Sequence, residues 1–327
     1  MEIMRIIENI PRIRLAHLPT PLEFCPGLSR RLDKNIYFKR DDLTGSVLSG
    51  NKVRKLEYLL ADARLKRATA VMTCGATTSN HARATAIAAR RAGFKPYLLL
   101  RRYEIPDKDY ANANIYLERL AGAEIRFCSA QEYDYREKLM EEWAKALGEN
   151  IYIIPEGGSN ETGIIGYIDA LREIKEECER ISLEPDGIIV AVGSGGTYSG
   201  LLLGSVIYDW KIPVYGYSVY DVPEHFVNEV RRIITLFEAR FGQTFDIQQN
   251  QIRIVDAAYG NPYGATTDSE WRLIREFAEC YGIILDPVYT ARAMHCFINN
   301  MPEGKTFIFL HTGGIFGLFS PNTLKKA

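Results

Sequence analysis

No stretch of the 327-residue chain approaches the roughly 18 consecutive apolar residues of a membrane-spanning helix. Charge of one sign is not in excess either: 40 Lys and Arg face 41 Asp and Glu, for a net charge of -1. A nucleic-acid partner is therefore not expected, because phosphate binding draws on surplus basic side chains. An electrostatic membrane anchor is not expected for the same reason. Cysteine is sparse, and its six positions (Cys25, Cys74, Cys128, Cys178, Cys280, Cys296) form no CxxC pair. Such cysteines read as reduced and mostly buried rather than as a disulfide framework. The five histidines (His17, His81, His225, His295, His311) lack metal-ligand spacing, so no metal is expected. Repeats, low-complexity tracts and linkers are absent. The N-terminal stretch is charged from residue 2 and lacks the apolar core of a signal peptide, so the cytoplasm is the expected location.

What the chain does have is alternation. Short apolar runs such as "NIYFKRDD", "AVMTCG", "KPYLLLRR", "AEIRFCS", "IYIIPEGG", "DGIIVAVG", "KIPVYGYSVY" and "KTFIFLHTGG" read as strands. Amphipathic stretches separate them, among them "KVRKLEYLLADARLKRA", "SNHARATAIAARRAGF" and "ETGIIGYIDALREIKEECER". Such βα alternation predicts an α/β protein with parallel sheets covered by helices on both faces. Ligands in that class bind beyond the carboxyl ends of strands.

The loop after "DGIIVAVG" is Gly193-Ser194-Gly195-Gly196-Thr197, followed at once by a helix. Glycines let backbone N–H groups approach a ligand, and a helix start favours an anion, so this loop reads as a phosphate cup. A dinucleotide fingerprint fits only in part: Gly193 and Gly195 match, Tyr198 takes the third glycine position, and Asp221 follows the next strand. A NAD(P)-binding oxidoreductase therefore stays open as a reading of a different class. A P-loop at "GSVLSGNKV" is rejected, because Asn51 intrudes and Val53 replaces the hydroxyl that would bind Mg²⁺.

Lys52 stands where "GSVLSGN" turns into a helix, a place where a cation is mildly unfavourable. That position also depresses an amine's pKa, which suits a nucleophile. At "TTSNHARA", Ser79 and Asn80 sit at another helix start and hold a substrate carboxylate or simply cap the helix. Tyr289 and Thr290 in "ILDPVYTARA" sit at an expected helix start, and Tyr289, like Tyr259 in "DAAYGNPYG", is a packing residue or an acid/base. Thr312 in "IFLHTGG" is a loop hydroxyl or a partner for a heterocycle. A phosphate cup, a nucleophilic lysine and a carboxylate-binding helix start together point to pyridoxal 5'-phosphate and a small amino-acid substrate.

The combined motifs "KRDDLTG…SGNKVRKLEYLL", "SNH", "VGSGGTYSGLLLG", "LDPVYT" and "HTGG" resemble the D-cysteine desulfhydrase and 1-aminocyclopropane-1-carboxylate deaminase family. That family belongs to the tryptophan-synthase-β-like, fold type II enzymes. The resemblance runs from about residue 10 to 320 and is weakest over 221–262. It implies two open, twisted, mostly parallel sheets flanked by helices. A large cofactor-binding domain would comprise 1–53 and 164–327, with a small domain at 54–163. It implies that Lys52 holds the cofactor covalently, that Asn51 and Lys55 secure it (Lys55 at the phosphate), and that Gly193 to Thr197 bind the phosphate. Ser79, Asn80 and His81 would lie over the cofactor and hold the substrate carboxylate. Tyr259 and Tyr289 would flank the reacting carbons. A homodimer is implied as well. Deaminases of the family carry a glutamate, facing the pyridine nitrogen, where this chain has Thr290. Desulfhydrase-like members carry threonine there and at the position of Thr312. The expected reaction is thus an α,β-elimination converting D-cysteine to pyruvate, ammonia and hydrogen sulfide. The alternative is deamination of the cyclopropane acid to 2-oxobutanoate and ammonia.

Overall fold

The computed structural model describes residues 2–102, 113–258, 260–261 and 264–320. Tyr259 lies outside the described residues. In chain order the elements are α1 (Glu2–Glu8), β1 (Leu22–Phe24), α2 (Pro26–Leu32), β2 (Asn35–Lys39), α3 (Lys52–Leu65), β3 (Ala70–Ala76), α4 (Asn80–Ala92) and β4 (Lys95–Arg101). Next come α5 (Ala113–Leu120), β5 (Glu124–Cys128), α6 (Ala130–Tyr133), α7 (Arg136–Leu147), β6 (Ile151–Ile153), α8 (Ile165–Arg180), β7 (Gly187–Val192) and α9 (Gly196–Ile207). The last are β8 (Val214–Ser218), α10 (Pro223–Phe241), β9 (Arg253–Asp256), α11 (Asp268–Tyr281), α12 (Thr290–Asn299) and β10 (Thr306–Leu310).

Two sheets result, as expected for an α/β protein of this type. One has six strands in the order β1-β2-β10-β7-β8-β9, and the other four in the order β5-β4-β3-β6. All pairings are parallel except that of β1 with β2. β3, β7 and β10 are buried along their whole length, so they read as apolar runs rather than as alternating ones. Ile189 of β7 packs with Phe38, Phe297 and Phe309 on one face, and Ile188 and Val190 pack with Leu171, Leu201 and Val230 on the other.

Register decides which loops meet. β10 lies between β2 and β7, so the loops after all three emerge side by side. In the smaller sheet β3 pairs with β6, which puts the Thr77–Ser79 turn beside residues 156–159.

Some expectations differ at their edges. "NIYFKRDD" ends as a strand at Lys39, because Asp41–Leu43 turns into a 3₁₀ segment. There Asp41 is buried and accepts from Arg54, Thr20 and the Tyr167 hydroxyl. "KIPVYGYSVY" is a strand only from Val214 to Ser218; Pro213 precedes it and has no N–H to give a ladder. The edge strands β1 and β9, three and four residues long, have no individual signal in the sequence.

Beneath α3 lies a buried ionic network. Arg54, 1% exposed, forks onto Asp41 at 2.8 and 2.9 Å and onto Glu173 at 2.8 and 2.9 Å. Lys39, fully buried, meets Glu173 at 2.6 Å and also Glu177. Burial works against the charge on Glu173, yet Arg54 and Lys39 hold its carboxyl down at about 2. This network ties β2, the 41–43 turn and α8 to the helix that begins at Lys52.

Candidate active site

The strand-end loops of both sheets enclose a cavity of about 310 Å³. Lys52, the first residue of α3, lines it. The turn before it is fixed by its neighbours: Gly50 has φ +96°, and a Cβ there would meet the Thr312 carbonyl at 2.8 Å. The Asn51 N–H donates to that same carbonyl at 3.1 Å. The lysine and the end of β10 are therefore held together by backbone contacts.

The glycine loop forms the cavity's second wall. Gly193, Ser194, Gly195 and Thr197 line it, and α9 begins at Gly196 with no side-chain cap on its first N–H groups. The Asn51 amide donates to Thr197 Oγ1 at 3.0 Å, which joins the starts of α3 and α9. Lys55 lies behind the loop, fully buried, with Nζ donating to the Gly157 carbonyl at 3.1 Å and to Ser159 Oγ at 3.2 Å. A Cβ at Gly196 would come within 2.7 Å of that ammonium. Burial, and then the charge of Lys52, push Lys55 well below the usual lysine range. A buried amine bonded only to neutral oxygens, set beside a helix start, is a place prepared for an anion. The phosphate of pyridoxal phosphate fits it.

The third wall is the start of α4. Ser79 caps it, accepting from the Ala82 N–H at 3.1 Å, and lines the cavity with Asn80 and His81. Asn80 Oδ1 is buried with no hydrogen-bond partner, an orphan that a ligand donor would satisfy. The Thr73 hydroxyl spends its proton on the Ile154 carbonyl, so the His81 ring donates from Nε2 to Thr73 Oγ1 at 2.9 Å. Burial, with Lys52 and Lys55, keeps this ring well below the usual histidine range, and so neutral.

The loops near β10 sort the remaining candidates. Tyr289 and Thr312 line the cavity, and the Tyr289 ring lies against Gly193, where a Cβ would meet it at 2.7 Å. Thr290 does not line the cavity. It is fully buried, and its hydroxyl and N–H both bond Asp286 Oδ1 at 2.7 Å. The structure thus keeps Thr290 out of the cavity lining, because the Asp286 turn takes up its hydroxyl.

Sequence reasoning missed one whole side. Residues 156–159 close the cup from across the cavity, with Ser159 Oγ 2.9 Å from Ser194 Oγ. Their signal was legible in "PEGGS", a glycine pair at a strand end like the one at 193–197. Arg101, Tyr133, Arg136 and Glu156 also line the cavity. Both guanidinium groups flank the Tyr133 ring, at 4.8 and 5.2 Å, and Arg136 pairs with Glu156 at 3.2 Å. Arg101 ends β4, Tyr133 and Arg136 lie on α6 and α7, Glu156 follows β6, and nothing in their local sequence marks them as cavity residues. Among the described residues no group of His, Cys, Asp and Glu could hold a metal ion.

Burial lowers the Lys52 amine to about 8, against the opposing charge of Glu156. Its neutral, nucleophilic form therefore accumulates as pH rises through about 8. Removing the opposing charge moves that rise to lower pH. In Glu156→Gln the pH dependence of cofactor attachment to the apoprotein, followed by stopped-flow absorbance, is expected to shift acidward. An unmoved profile would show that Glu156 does not act on Lys52.

A family model described as pyridoxal-phosphate dependent enzyme matches residues 13–313. Over 327 residues the chain is 38% identical to an Arabidopsis thaliana protein named bifunctional D-cysteine desulfhydrase/1-aminocyclopropane-1-carboxylate deaminase, mitochondrial, covering 93% of this chain and 78% of that one. Over 322 residues it is 33% identical to a D-cysteine desulfhydrase of Salmonella newport, covering 96% and 97% of the two chains. A crystal structure described as an ACC deaminase homologue superposes with a TM-score of 0.87 at 36% identity, covering 97% and 96%.

Proposed function

Since the chain belongs to the pyridoxal-phosphate dependent enzyme family, we propose that it is a lyase carrying out α,β-elimination on a small amino acid, with D-cysteine the favoured substrate. The net reaction consumes D-cysteine and water and yields pyruvate, ammonia and hydrogen sulfide. The nicotinamide reading of the glycine loop is set aside by the family match.

When bound, pyridoxal phosphate supplies an electron sink for the substrate's α-carbon. Gly193 to Thr197 and Lys55 would hold its phosphate, and Lys52 its aldehyde. Asn51 braces the loop through Thr197. The start of α4, with Ser79 and Asn80, receives the substrate carboxylate on free N–H groups. Lys52 Nζ, neutral near pH 8, is the base for the α-proton. Tyr289, which lines the cavity, would protonate the departing sulfur.

One observation carries the preference for desulfhydration over ring opening. Asp286, the carboxylate before α12, is buried and taken up by the N–H groups of Val288, Tyr289 and Thr290 and by the Thr290 hydroxyl. The polar residues these loops bring to the cavity are the neutral Tyr289 and Thr312, and we take Thr312 as the partner of the pyridine nitrogen. A neutral partner at a pyridine nitrogen strengthens the electron sink only weakly, which suffices to expel a thiolate. Opening a cyclopropane that has no α-proton asks for more. The test is one panel of amino acids with the cofactor-loaded enzyme, measuring sulfide and 2-oxo acid. D-cysteine is expected to release both in equal amounts, faster than L-cysteine. Release of 2-oxobutanoate from 1-aminocyclopropane-1-carboxylate at a comparable rate would overturn the preference.

Three further features support the setting of this reading. All six cysteines are free, which suits a reducing compartment such as the cytoplasm. No described helix is long and apolar enough to cross a membrane. Tyr116 and Leu120 of α5 are 64% and 71% exposed, and α5 packs beside residues 315–319, where Ile315 and Phe319 are also exposed. An apolar surface of this kind fits a homodimer. The division at 1–53 with 164–327 and 54–163 likewise stands as our proposal for the two lobes around the cavity.

A further inference from the structure

One turn into α4, Arg83 is fully buried and does not line the cavity. Its guanidinium reaches three other segments. Nε donates to Asn114 Oδ1 of α5 at 2.9 Å. Nη1 donates to the Val47 carbonyl, and Nη2 to the Ser49 carbonyl at 3.3 Å. Its Cζ lies 4.5 Å from the centre of the Phe316 ring, in the 3₁₀ segment that follows Thr312-Gly313-Gly314. Asn114 completes the device: its amide donates to the Thr78 carbonyl at 2.9 Å, one residue before Ser79.

This guanidinium hydrogen-bonds no carboxylate among the described residues. The carboxylate near it, Glu118, is fully buried with neither oxygen hydrogen-bonded. Burial raises Glu118 to about 8, against the pull of Arg83 and Arg119, so it keeps its proton at neutral pH. Arg83 is therefore a buried cation resting on two carbonyls, an amide and an aromatic face. Packing alone would be served by an apolar side chain, without the cost of burying a charge. What a planar fork adds is fixed geometry between the groups it bonds. Arg83 itself belongs to the helix capped by Ser79, Val47 and Ser49 belong to the loop that ends in Lys52, and Asn114 of α5 bonds back to Thr78 beside Ser79.

We propose that Arg83, supported by Asn114, is a positioning residue that sets the carboxylate-receiving start of α4 at a fixed distance from the loop carrying Lys52. This rests on the function proposed above. Loss of the fork leaves both sites in place but frees their separation. Orientation is what suffers, and misplacement by about 1 Å costs on the order of 10²-fold.

The experiment compares Arg83→Met, Arg83→Lys and Asn114→Ala with the unaltered enzyme. Cofactor affinity is read by absorbance titration of the apoprotein with pyridoxal phosphate. D-alanine, which lacks a β-leaving group, serves as the binding probe through its effect on the same spectrum. Turnover of D-cysteine and the melting temperature complete the set. Arg83→Met is expected to weaken D-alanine binding about ten-fold and to lower kcat/KM roughly 10²-fold. Its cofactor affinity is expected to stay within about three-fold, since Lys52 and the glycine loop are untouched. Arg83→Lys, whose ammonium reaches one carbonyl, recovers part of the loss, and Asn114→Ala falls the same way by a smaller factor. Variants that melt lower yet keep D-alanine affinity and kcat/KM overturn the positioning role and leave the proposed function standing. If Arg83→Met does not fold, the other two variants decide on the same criterion. An unaltered enzyme that binds cofactor but responds to neither D-alanine nor D-cysteine overturns the proposed function, and this inference with it.

Discussion

Lys52→Ala is expected to remain colourless after incubation with pyridoxal phosphate and gel filtration, and to release no 2-oxo acid from D-cysteine. The reason is chemical. An ε-amine is the side-chain group suited to condense with the cofactor aldehyde, and among the described residues Lys52 is the lysine that lines the cavity. Lys55 is no substitute, because its amine points behind the glycine loop to Gly157 and Ser159. The fold should survive, since Lys52 makes none of the ionic contacts that tie α3 down. Without the base, proton abstraction alone loses roughly 10²–10⁴-fold, before any loss of cofactor is counted. A visible band in Lys52→Ala that borohydride bleaches, with the resulting pyridoxyl adduct mapping to another lysine, would refute the assignment.

The second large effect concerns stability. Arg54→Met is expected to cost about 3–5 kcal/mol, because it leaves the buried Asp41 carboxylate and the partly buried Glu173 without their guanidinium. Urea unfolding should show a lower midpoint with an unchanged slope. The pH dependence follows from Glu173, held at about 2 in the fold against an ordinary value of 4.5. A depressed carboxyl contributes stability that is fully present above pH 4.5 and is lost as pH falls toward about 2. In Arg54→Met that carboxyl returns toward or above its ordinary value. The gap between the variant and the unaltered protein should therefore narrow in acid. A midpoint unchanged at pH 7 would mean that the network contributes nothing net.

The alternation of strands and helices and the placing of Lys52, Ser79 and Gly193–Thr197 at strand-to-helix turns were legible locally. Each depends on a few neighbouring residues: apolar runs that bury on both faces, glycines that admit a ligand, and small polar residues that cap helices. Thr290 was not legible in this way. Its motif places it next to Tyr289, but whether its hydroxyl meets a cofactor or Asp286 depends on a turn that only the folded loop reveals.

The sequence by itself determined the kind of protein and the chemistry available to it, because periodicity and turn residues act over ten residues or fewer. Only the tertiary structure decided what shares the cavity. Placing β10 between β2 and β7 brings Thr312 to the turn before Lys52. Pairing β3 with β6 brings residues 156–159 against the glycine loop. Burying Arg83 joins segments more than 30 residues apart in the chain. Such contacts arise from sheet order and from the requirement that every buried polar group find a partner, and neither is written in any one stretch of residues.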